Sequence, residues 1–376
     1  MPTALQAGTG NAATKGTAPL ISLVVPVYNV EAYLAQCLES IAAQTMPGWE
    51  AVCVNDGSTD GSRAIVARYA LKDARFRIID KKNGGLSSAR NCGIGSAQAP
   101  LVWFVDSDDF IEPHACERIV QAFERTGADV VTFGAQCFPA SEATPWLCER
   151  LSPRDKVYEA FKPDLLFKEM SHPYAWRTAC RRGFLVEKGI LFDEALRFGE
   201  DQLFHFAVYP RASKTALLSD KLYGYRLARE GSLMHRMEQD PAQKMSAHLD
   251  IVRKVFADWE QGGFLGTYAS EAIAWTVEFV AYGSVCLGNP ERDRLIDGLV
   301  GIWLEHFDAE GLLALSLPRA TAAYLRAALE DHRAFDGLNG KRLRLAYYVQ
   351  HFGFKAFINR LFGRYATGRQ QGGQGM

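Results

Sequence analysis

Leu101-Val102-Trp103-Phe104-Val105-Asp106-Ser107-Asp108-Asp109 decides the fold. Five apolar residues in a row, rich in Val and aromatics, predict a strand buried on both faces. The strand ends in three carboxylates within four positions, a grouping that is costly unless a cation or a donor-rich ligand neutralises it. In an open α/β sheet, ligands sit outside the carboxyl ends of the strands, which is where these acids fall. Carboxylate oxygens suit Mg²⁺ or Mn²⁺ shared with a ligand's phosphates. The plainer alternative is a solvated acidic turn capping the next helix.

Upstream, the chain alternates strands and helices. Ile21–Val27 is a short apolar strand with Pro26 near its end, followed by Tyr28-Asn29 and a helix from Glu31 with Leu34, Leu38 and Ile41 on one face. Trp49–Val54 is the second strand, and Asn55-Asp56-Gly57-Ser58-Thr59-Asp60-Gly61-Ser62 opens another helix. Phe76–Asp80 is the third, and Lys81-Lys82-Asn83-Gly84-Gly85-Leu86 loops into a helix from Ser87. Pro113 suits the first position of the helix after the acidic strand, and Ala128–Phe133 is a fifth strand. Such alternation predicts a parallel sheet with helices on both sides. It also places Tyr28-Asn29, Asp56, Asn83-Gly84-Gly85 and Asp106–Asp109 on one rim. Neither Gly-rich loop carries the phosphate-binding P-loop or dinucleotide pattern, and each alone reads as an ordinary turn; sharing a rim makes them a site.

The totals allow more than one structural unit in 376 residues, with 48% hydrophobic and 23% charged residues, as in ordinary soluble proteins. A formal net charge of −1 gives no global reason to expect nucleic acid or membrane. The eight cysteines include no CxxC pair, which argues against a zinc ribbon or a redox dithiol; they read as buried thiols in a reducing compartment. The first 18 residues have no apolar core of a signal peptide and read as a disordered tail. Ala272–Leu287 is too short and too interrupted, by Glu278, to span a bilayer. A cytoplasmic protein is the expectation.

With the four rim loops in hand, the sequence resembles the family-2 inverting glycosyltransferases of the GT-A fold. The resemblance rests on Val25-Pro26-Val27-Tyr28-Asn29, Asn55-Asp56-Gly57-Ser58-Thr59-Asp60, Asn83-Gly84-Gly85-Leu86-Ser87-Ser88-Ala89-Arg90-Asn91, Asp106-Ser107-Asp108-Asp109 and Phe198-Gly199-Glu200-Asp201-Gln202-Leu203-Phe204. Five motifs in order over roughly residues 20 to 235 are far more specific than any one. The resemblance implies a Rossmann-like α/β sheet of the nucleotide-diphospho-sugar transferase type. It assigns Pro26, Tyr28, Asn29, Asp56, Asn83, Gly85, Arg90, Asp106 and Ser107 to the nucleotide. Tyr28 would stack on the base, Asp56 accept from the base imide, and Arg90 lie near the ribose or diphosphate. Asp108, with Asp106, would bind Mn²⁺ or Mg²⁺, and Asp109 has no fixed role. Asp201 is the expected general base, separate from the metal acids, with Glu200 orienting or capping.

Tyr174–Gly183 resembles the family's acceptor-side Trp-Asn-Lys stretch, with Arg177 and Thr178 in place of Asn-Lys; Trp176 is a sugar platform or core. Tyr223–Arg226 with Arg229–His235 resembles a segment that closes over the diphosphate in some members, with Arg226 and Ser232 as candidates.

From about Asp240 the pattern turns helical: Ala272–Leu287, Arg292–Phe307 and Pro318–Leu329 read as amphipathic helices. The expected layout is a tail over 1–18, a catalytic domain over 19–238, a C-terminal helical appendage over 239–366 and a flexible tail over 367–376. Lys341–Tyr365 is basic with interleaved aromatics, and no acid follows Asp336. It predicts either a helix lying on an anionic inner-leaflet surface or one docking its aromatics on its neighbours. Nucleic acid is not an expected partner.

The function expected is metal-dependent inverting transfer of sugar from a nucleotide sugar, with a UDP-sugar as donor, to a glycan or lipid-linked acceptor in surface polysaccharide synthesis. Haloacid-dehalogenase-like phosphatases also begin with an apolar strand and Asp-x-Asp, but Gly with Thr or Val usually follows there, whereas Asp109-Phe110 follow here. A sugar nucleotidyltransferase needs a Gly-rich, Arg-containing loop that Tyr28-Asn29-Val30-Glu31 does not supply. A degenerate nucleotide-sugar-binding scaffold is the non-enzyme alternative, opposed by intact Asp56, Asp106, Asp108 and Asp201.

Overall fold

The computed structural model describes residues 18–169, 174–227 and 239–368, with side chains of the last helix described as far as His351. The first strands and helices are β1 Ile21–Val27, α1 Glu31–Ala42, β2 Trp49–Asn55, α2 Ser62–Lys72, β3 Phe76–Asp80, α3 Leu86–Ser96 and β4 Leu101–Phe104. Then come β5 Phe110–Ile111, α4 Ala115–Thr126, β6 Val130–Phe138, α5 Pro145–Arg150, β7 Lys156–Tyr158, α6 Asp164–Phe167, β8 Thr178–Arg181, α7 Arg182–Glu187, α8 Glu200–Arg211 and β9 Thr215–Arg226. The sheet runs β3-β2-β1-β4-β8-β6-β9-β5, with β7 added against β9.

Only part of the expected parallel sheet is found. β3, β2, β1 and β4 are mutually parallel, and β6 runs parallel to β9, but β8 lies antiparallel between β4 and β6. The difference has a local origin. Beyond β6 the elements shorten, α5, β7 and α6 having six, three and four residues, and the four-residue β8 enters directly from a 3₁₀ turn over Ala175–Arg177. The fifth strand also extends to Phe138, five residues beyond its apolar run. Pro113 lies two residues ahead of α4 rather than inside it.

The acid-tipped strand is buried throughout, as its composition demands. Val102 and Phe104 face one core cluster, and Leu101, Trp103 and Val105 face the other, the period of two that a strand imposes. The second cluster is closed by α1 and α4. The first runs from Val24 and Phe104 through α8 into the C-terminal helices, ending at Tyr347. That region starts with α9, Pro241–Gln261, whose Trp259 donates its indole N–H to the Phe206 carbonyl of α8 at 2.9 Å. Arg211–Asp258 adds an ion pair at the same seam. Helices Glu291–His306 and Arg319–Glu330 occupy two of the predicted helical stretches; the earlier one, from Ala269, contains a π-helical turn at Val277–Ala281.

All eight cysteines are free. Cys148 and Cys286 are exposed, contrary to the expectation of uniformly buried thiols. Among the described residues, no helix is long and apolar enough to cross a membrane.

Candidate active site

The carboxyl ends of β1, β2, β3 and β4 and the N-terminus of α8 meet on one rim. At β1, Tyr28 is 49% exposed, and Asn29 takes a left-handed conformation (φ 47°) whose Oδ1 accepts from the Thr59 amide at 2.8 Å. That bond holds the first two rim loops together. Pro26 is buried within β1, one residue short of the rim.

Asp56, at the end of β2, is buried and accepts from three donors: Lys81 Nζ at 2.6 Å, the Gly84 amide at 3.0 Å and the Gly85 amide at 2.8 Å. Asn83 Nδ2 donates to the Asp56 carbonyl. The Gly84 amide is shared with the second carboxylate oxygen at 3.2 Å, so each Asp56 oxygen accepts two hydrogen bonds. Gly85 has φ 91°, and a Cβ there would lie 2.9 Å from Arg197 Nη1. Only glycine lets the chain turn so tightly beside that guanidinium.

The acid turn is pinned from beneath. The Tyr223 hydroxyl donates to Asp109 Oδ2 at 2.8 Å and accepts from the Asp106 amide at 3.1 Å. The Arg226 amide donates to Asp109 Oδ1, and Arg226 Nε donates to the Asp108 carbonyl, both at 2.7 Å. Asp109 is thus a structural acid, holding β9 against the turn. Burial, with Asp108 and Asp106 near, pushes its carboxyl well above the usual range. Ser107 is buried, while Asp106 and Asp108 are partly open at the rim. Arg226, expected to help closure, is committed to this turn and lies over the rings of Tyr33 and Phe138.

Arg90 is the centre of the site. It is 1% exposed. Nη2 donates to Asp106 at 2.9 Å, and Nη1 donates to Glu200 at 3.0 Å and Asp201 at 2.7 Å. Arg90 is expected near the ribose or diphosphate; its forked donors are turned inward onto three carboxylates. Glu200 opens α8 behind Gly199, an N-cap residue with no side chain, and its carboxylate accepts both from Arg90 and from a backbone N–H of its own first turn. Burial, with Asp201 beside it, raises Glu200 to about 7. Burial likewise raises Asp106, against the pull of Arg90. Gly199 makes this approach possible, with φ 76° and a Cβ position only 2.3 Å from Ile251 Cδ1 of α9.

Below Asp201 lies a buried chain that the motifs did not reveal. His205, one turn along α8, places Nδ1 2.7 Å from the Asp201 carbonyl and Nε2 3.0 Å from Thr178 Oγ1. Burial lowers its pKa to about 4, so the ring is neutral at pH 7. The carbonyl can only accept, which fixes the proton on Nδ1 and makes Nε2 the acceptor of the Thr178 hydroxyl. Thr178, Thr132 and Tyr209 continue the chain at 3.1 and 2.8 Å. The available signal was the i, i+4 spacing of Asp201 and His205 on one helix.

The acceptor-side stretch is interior. Trp176 is 2% exposed, stacked between Tyr174 and Tyr223/Tyr225, so it is core and not a sugar platform. Arg177 and Thr178 are fully buried, and Arg177 donates to the carbonyls of Phe133 and Arg150. Ser232, with Arg229, His235 and Arg236, lies outside the described residues. Arg197 was missed by motif reading: it is exposed, borders the Gly84-Gly85 loop, and makes no ion pair among the described residues.

The donor set fits a hard divalent cation. Asp106 and Asp108, the acids of the turn that are partly open at the rim, present only oxygen atoms, as such an ion requires. Among the described residues, no three His, Cys, Asp or Glu side chains converge into a cage. Asp108, with Asp106, would therefore hold such an ion together with water and phosphate oxygens.

Comparison with known proteins agrees with this architecture. Residues 22–187 match the family model of Glycosyl transferase family 2, a match that ends before Glu200-Asp201. The putative glycosyltransferase EpsH of Bacillus subtilis is 34% identical over 274 residues, covering 72% of this chain and 77% of EpsH. The uncharacterized glycosyltransferase EpsJ of the same organism is 34% identical over 215 residues, covering 55% of this chain and 61% of EpsJ. The crystal structure of S. aureus TarS 1-349 in complex with UDP-GlcNAc superposes with a TM-score of 0.67, at 23% identity, over 87% of this chain and 91% of that one, and so shares its fold. The mixed sheet, the acid-tipped β4 and the helical C-terminal region are thus those of a GT-A glycosyltransferase, and the chain belongs to glycosyl transferase family 2.

Proposed function

We propose that this chain transfers a sugar, with inversion, from a UDP-sugar to a hydroxyl of a glycan or lipid-linked acceptor in surface polysaccharide synthesis, with Mn²⁺ or Mg²⁺ as cofactor. The observation that carries the proposal is the single guanidinium of Arg90, which holds the donor-side acid Asp106 and the acid Asp201 at opposite branches of one fork.

Tyr28 offers an exposed aromatic face for the base, and Asp56 accepts an imide N–H in exchange for its longer, shared bond from the Gly84 amide, a pairing that favours uracil. Asn83, Gly85 and Asn29 shape the loops around it. Arg197, which makes no ion pair among the described residues and lies beside the Gly84-Gly85 loop, takes the diphosphate role. Asp108, with Asp106, holds the cation, which when bound supplies Lewis-acid stabilisation of the leaving nucleoside diphosphate. Asp201 accepts the proton of the acceptor hydroxyl as that oxygen attacks the anomeric carbon from the face opposite the leaving group. Arg90 aims the Asp201 carboxylate, and His205 fixes the backbone carbonyl of the same residue.

The relatives' names support the donor and the outcome. TarS is named a poly(ribitol-phosphate) beta-N-acetylglucosaminyltransferase, and a Bacillus spizizenii relative, 29% identical over 243 residues, a beta-glucosyltransferase. A β product is what inversion at an α-linked donor gives.

The test is thermal unfolding with UDP, GDP, CMP and dTDP, each with Mn²⁺ or with chelator. A ligand at 100 times its dissociation constant adds about 2.7 kcal/mol. A shift with UDP that chelator removes is expected. A shift with another nucleotide instead overturns the uridine assignment, and no shift with any overturns the nucleotide-sugar reading.

A further inference from the structure

The last helix, Gly337–Gly368, breaks at Gly353, where φ is 83° and ψ 157°. Its first half is docked on one side only. Tyr347 is 2% exposed, against Tyr282 and Tyr324, and Leu343 packs on the same core. Gln350 accepts from the Ala320 amide at 2.7 Å and donates to Thr321 Oγ1. The opposite side is bare: Leu338 (62% exposed), Lys341, Arg342 and Leu345 (42% exposed) recur at i, i+3, i+4 and i+7, one helical face. Docking through an aromatic, one of the two alternatives read from the sequence, is thus found at Tyr347, and a basic face is turned outward on the other side of the same helix.

Charge is partitioned as sharply. Residues 337–376 contain seven Lys and Arg and no Asp or Glu, while the other 336 residues hold 35 Lys and Arg against 43 Asp and Glu, a net of −8. Such a body is repelled by an anionic surface except where the basic helix points, and the repulsion is screened beyond about 8 Å at physiological salt. In sequence the second half repeats the chemistry, with Phe354, Phe357, Ile358, Leu361, Phe362 and Tyr365 at intervals of three and four among Lys355, Arg360 and Arg364.

We propose that the face Leu338–Lys341–Arg342–Leu345 docks the protein on an anionic lipid surface, the leucines entering the headgroup boundary and the cations pairing with lipid phosphates. Exposed leucines flanking the cations favour a bilayer over a nucleic acid, whose phosphates reward charge alone. The inference stands independently of the sugar chemistry.

The experiment is sedimentation of the full chain with phosphatidylcholine vesicles and with vesicles containing 30% phosphatidylglycerol, at low and high salt, the lipid fraction being a design choice of roughly the anionic content that polybasic segments sense. Binding to the anionic vesicles alone, reversed by salt, is expected. The paired substitution Lys341→Glu with Arg342→Glu should weaken it roughly tenfold or more, and Leu338→Ser with Leu345→Ser should weaken it with charge intact. Both variants alter only exposed side chains, so their melting temperatures should match the parent. Equal binding to neutral vesicles, binding insensitive to both pairs, or retention on a polyanion without vesicle binding would each overturn the proposal.

Discussion

Arg90 Nη1 lies 2.7 Å from Asp201 Oδ1, and the same guanidinium reaches Asp106 through Nη2 at 2.9 Å. Removing it leaves Asp106, Glu200 and Asp201 without their shared counter-charge, a loss of about 3–5 kcal/mol of stability by the usual cost of breaking a buried pair. Arg90→Lys keeps the charge but not the fork. Under the proposed mechanism, turnover of Arg90→Lys should fall by about 100-fold or more and far more steeply than UDP affinity in the presence of Mn²⁺, since one branch of the fork aims the base while the other only steadies Asp106 beside the cation. Calorimetric titration of UDP alongside initial rates separates the two; a proportional loss of both would make Arg90 a donor ligand.

Arg197 should behave in the opposite way. Its guanidinium borders Gly85, is exposed, and makes no ion pair among the described residues. Arg197→Ala should leave the fold intact and weaken UDP-sugar binding by about 1.5–3 kcal/mol, the range for a hydrogen bond to a charged group. Uridine, which lacks the diphosphate, should bind parent and variant alike; an equal loss for uridine would remove Arg197 from that role.

In the proposed mechanism Asp201 and Asp108 divide chemistry from binding. Asp201→Asn keeps the hydrogen bond from Arg90 yet cannot take a proton, so transfer should drop by about 10²–10⁴-fold with UDP binding nearly unchanged. Asp108→Ala should lower the Mn²⁺-dependent part of UDP binding itself. Rates and melting shifts with and without chelator check the pair, and near-normal turnover of Asp201→Asn would refute the assignment of the base.

The rim was legible because its signals are local. Five motifs end strands or open helices, and a buried strand tipped with Asp106–Asp109 announces itself by composition. What was not legible depends on distance in the chain. Arg90 sits 111 residues from Asp201, and no periodicity says that its fork turns inward. Trp176 carries an aromatic that reads equally as platform or core, and only its stacking on Tyr223 and Tyr225 decides. Tyr223 and Asp109 meet across 114 residues, which makes an acid with no assigned role the anchor of β9. β8 escaped notice because four residues carry too little pattern to register.

His205 gives the fold a pH dependence whose sign can be worked out. Its pKa falls from an ordinary 6.5 to about 4 because burial penalises the charged ring. Between those values the unfolded chain binds more protons than the folded one, so this contribution is complete above pH 6.5 and is lost as pH falls towards 4. At about 1.4 kcal/mol per unit it reaches roughly 3 kcal/mol. His248, also lowered to about 4 by burial, adds in the same direction. Glu200, raised to about 7, works against both: its contribution is present below pH 4.5 and fades as pH rises through 7. Comparing the parent with His205→Gln isolates the histidine. Denaturant unfolding should show the parent's advantage shrinking steadily from pH 7 to pH 4, while the same comparison for Glu200→Gln runs the other way. A parent advantage over His205→Gln that stays constant across this range would mean that the ring is not held neutral by burial.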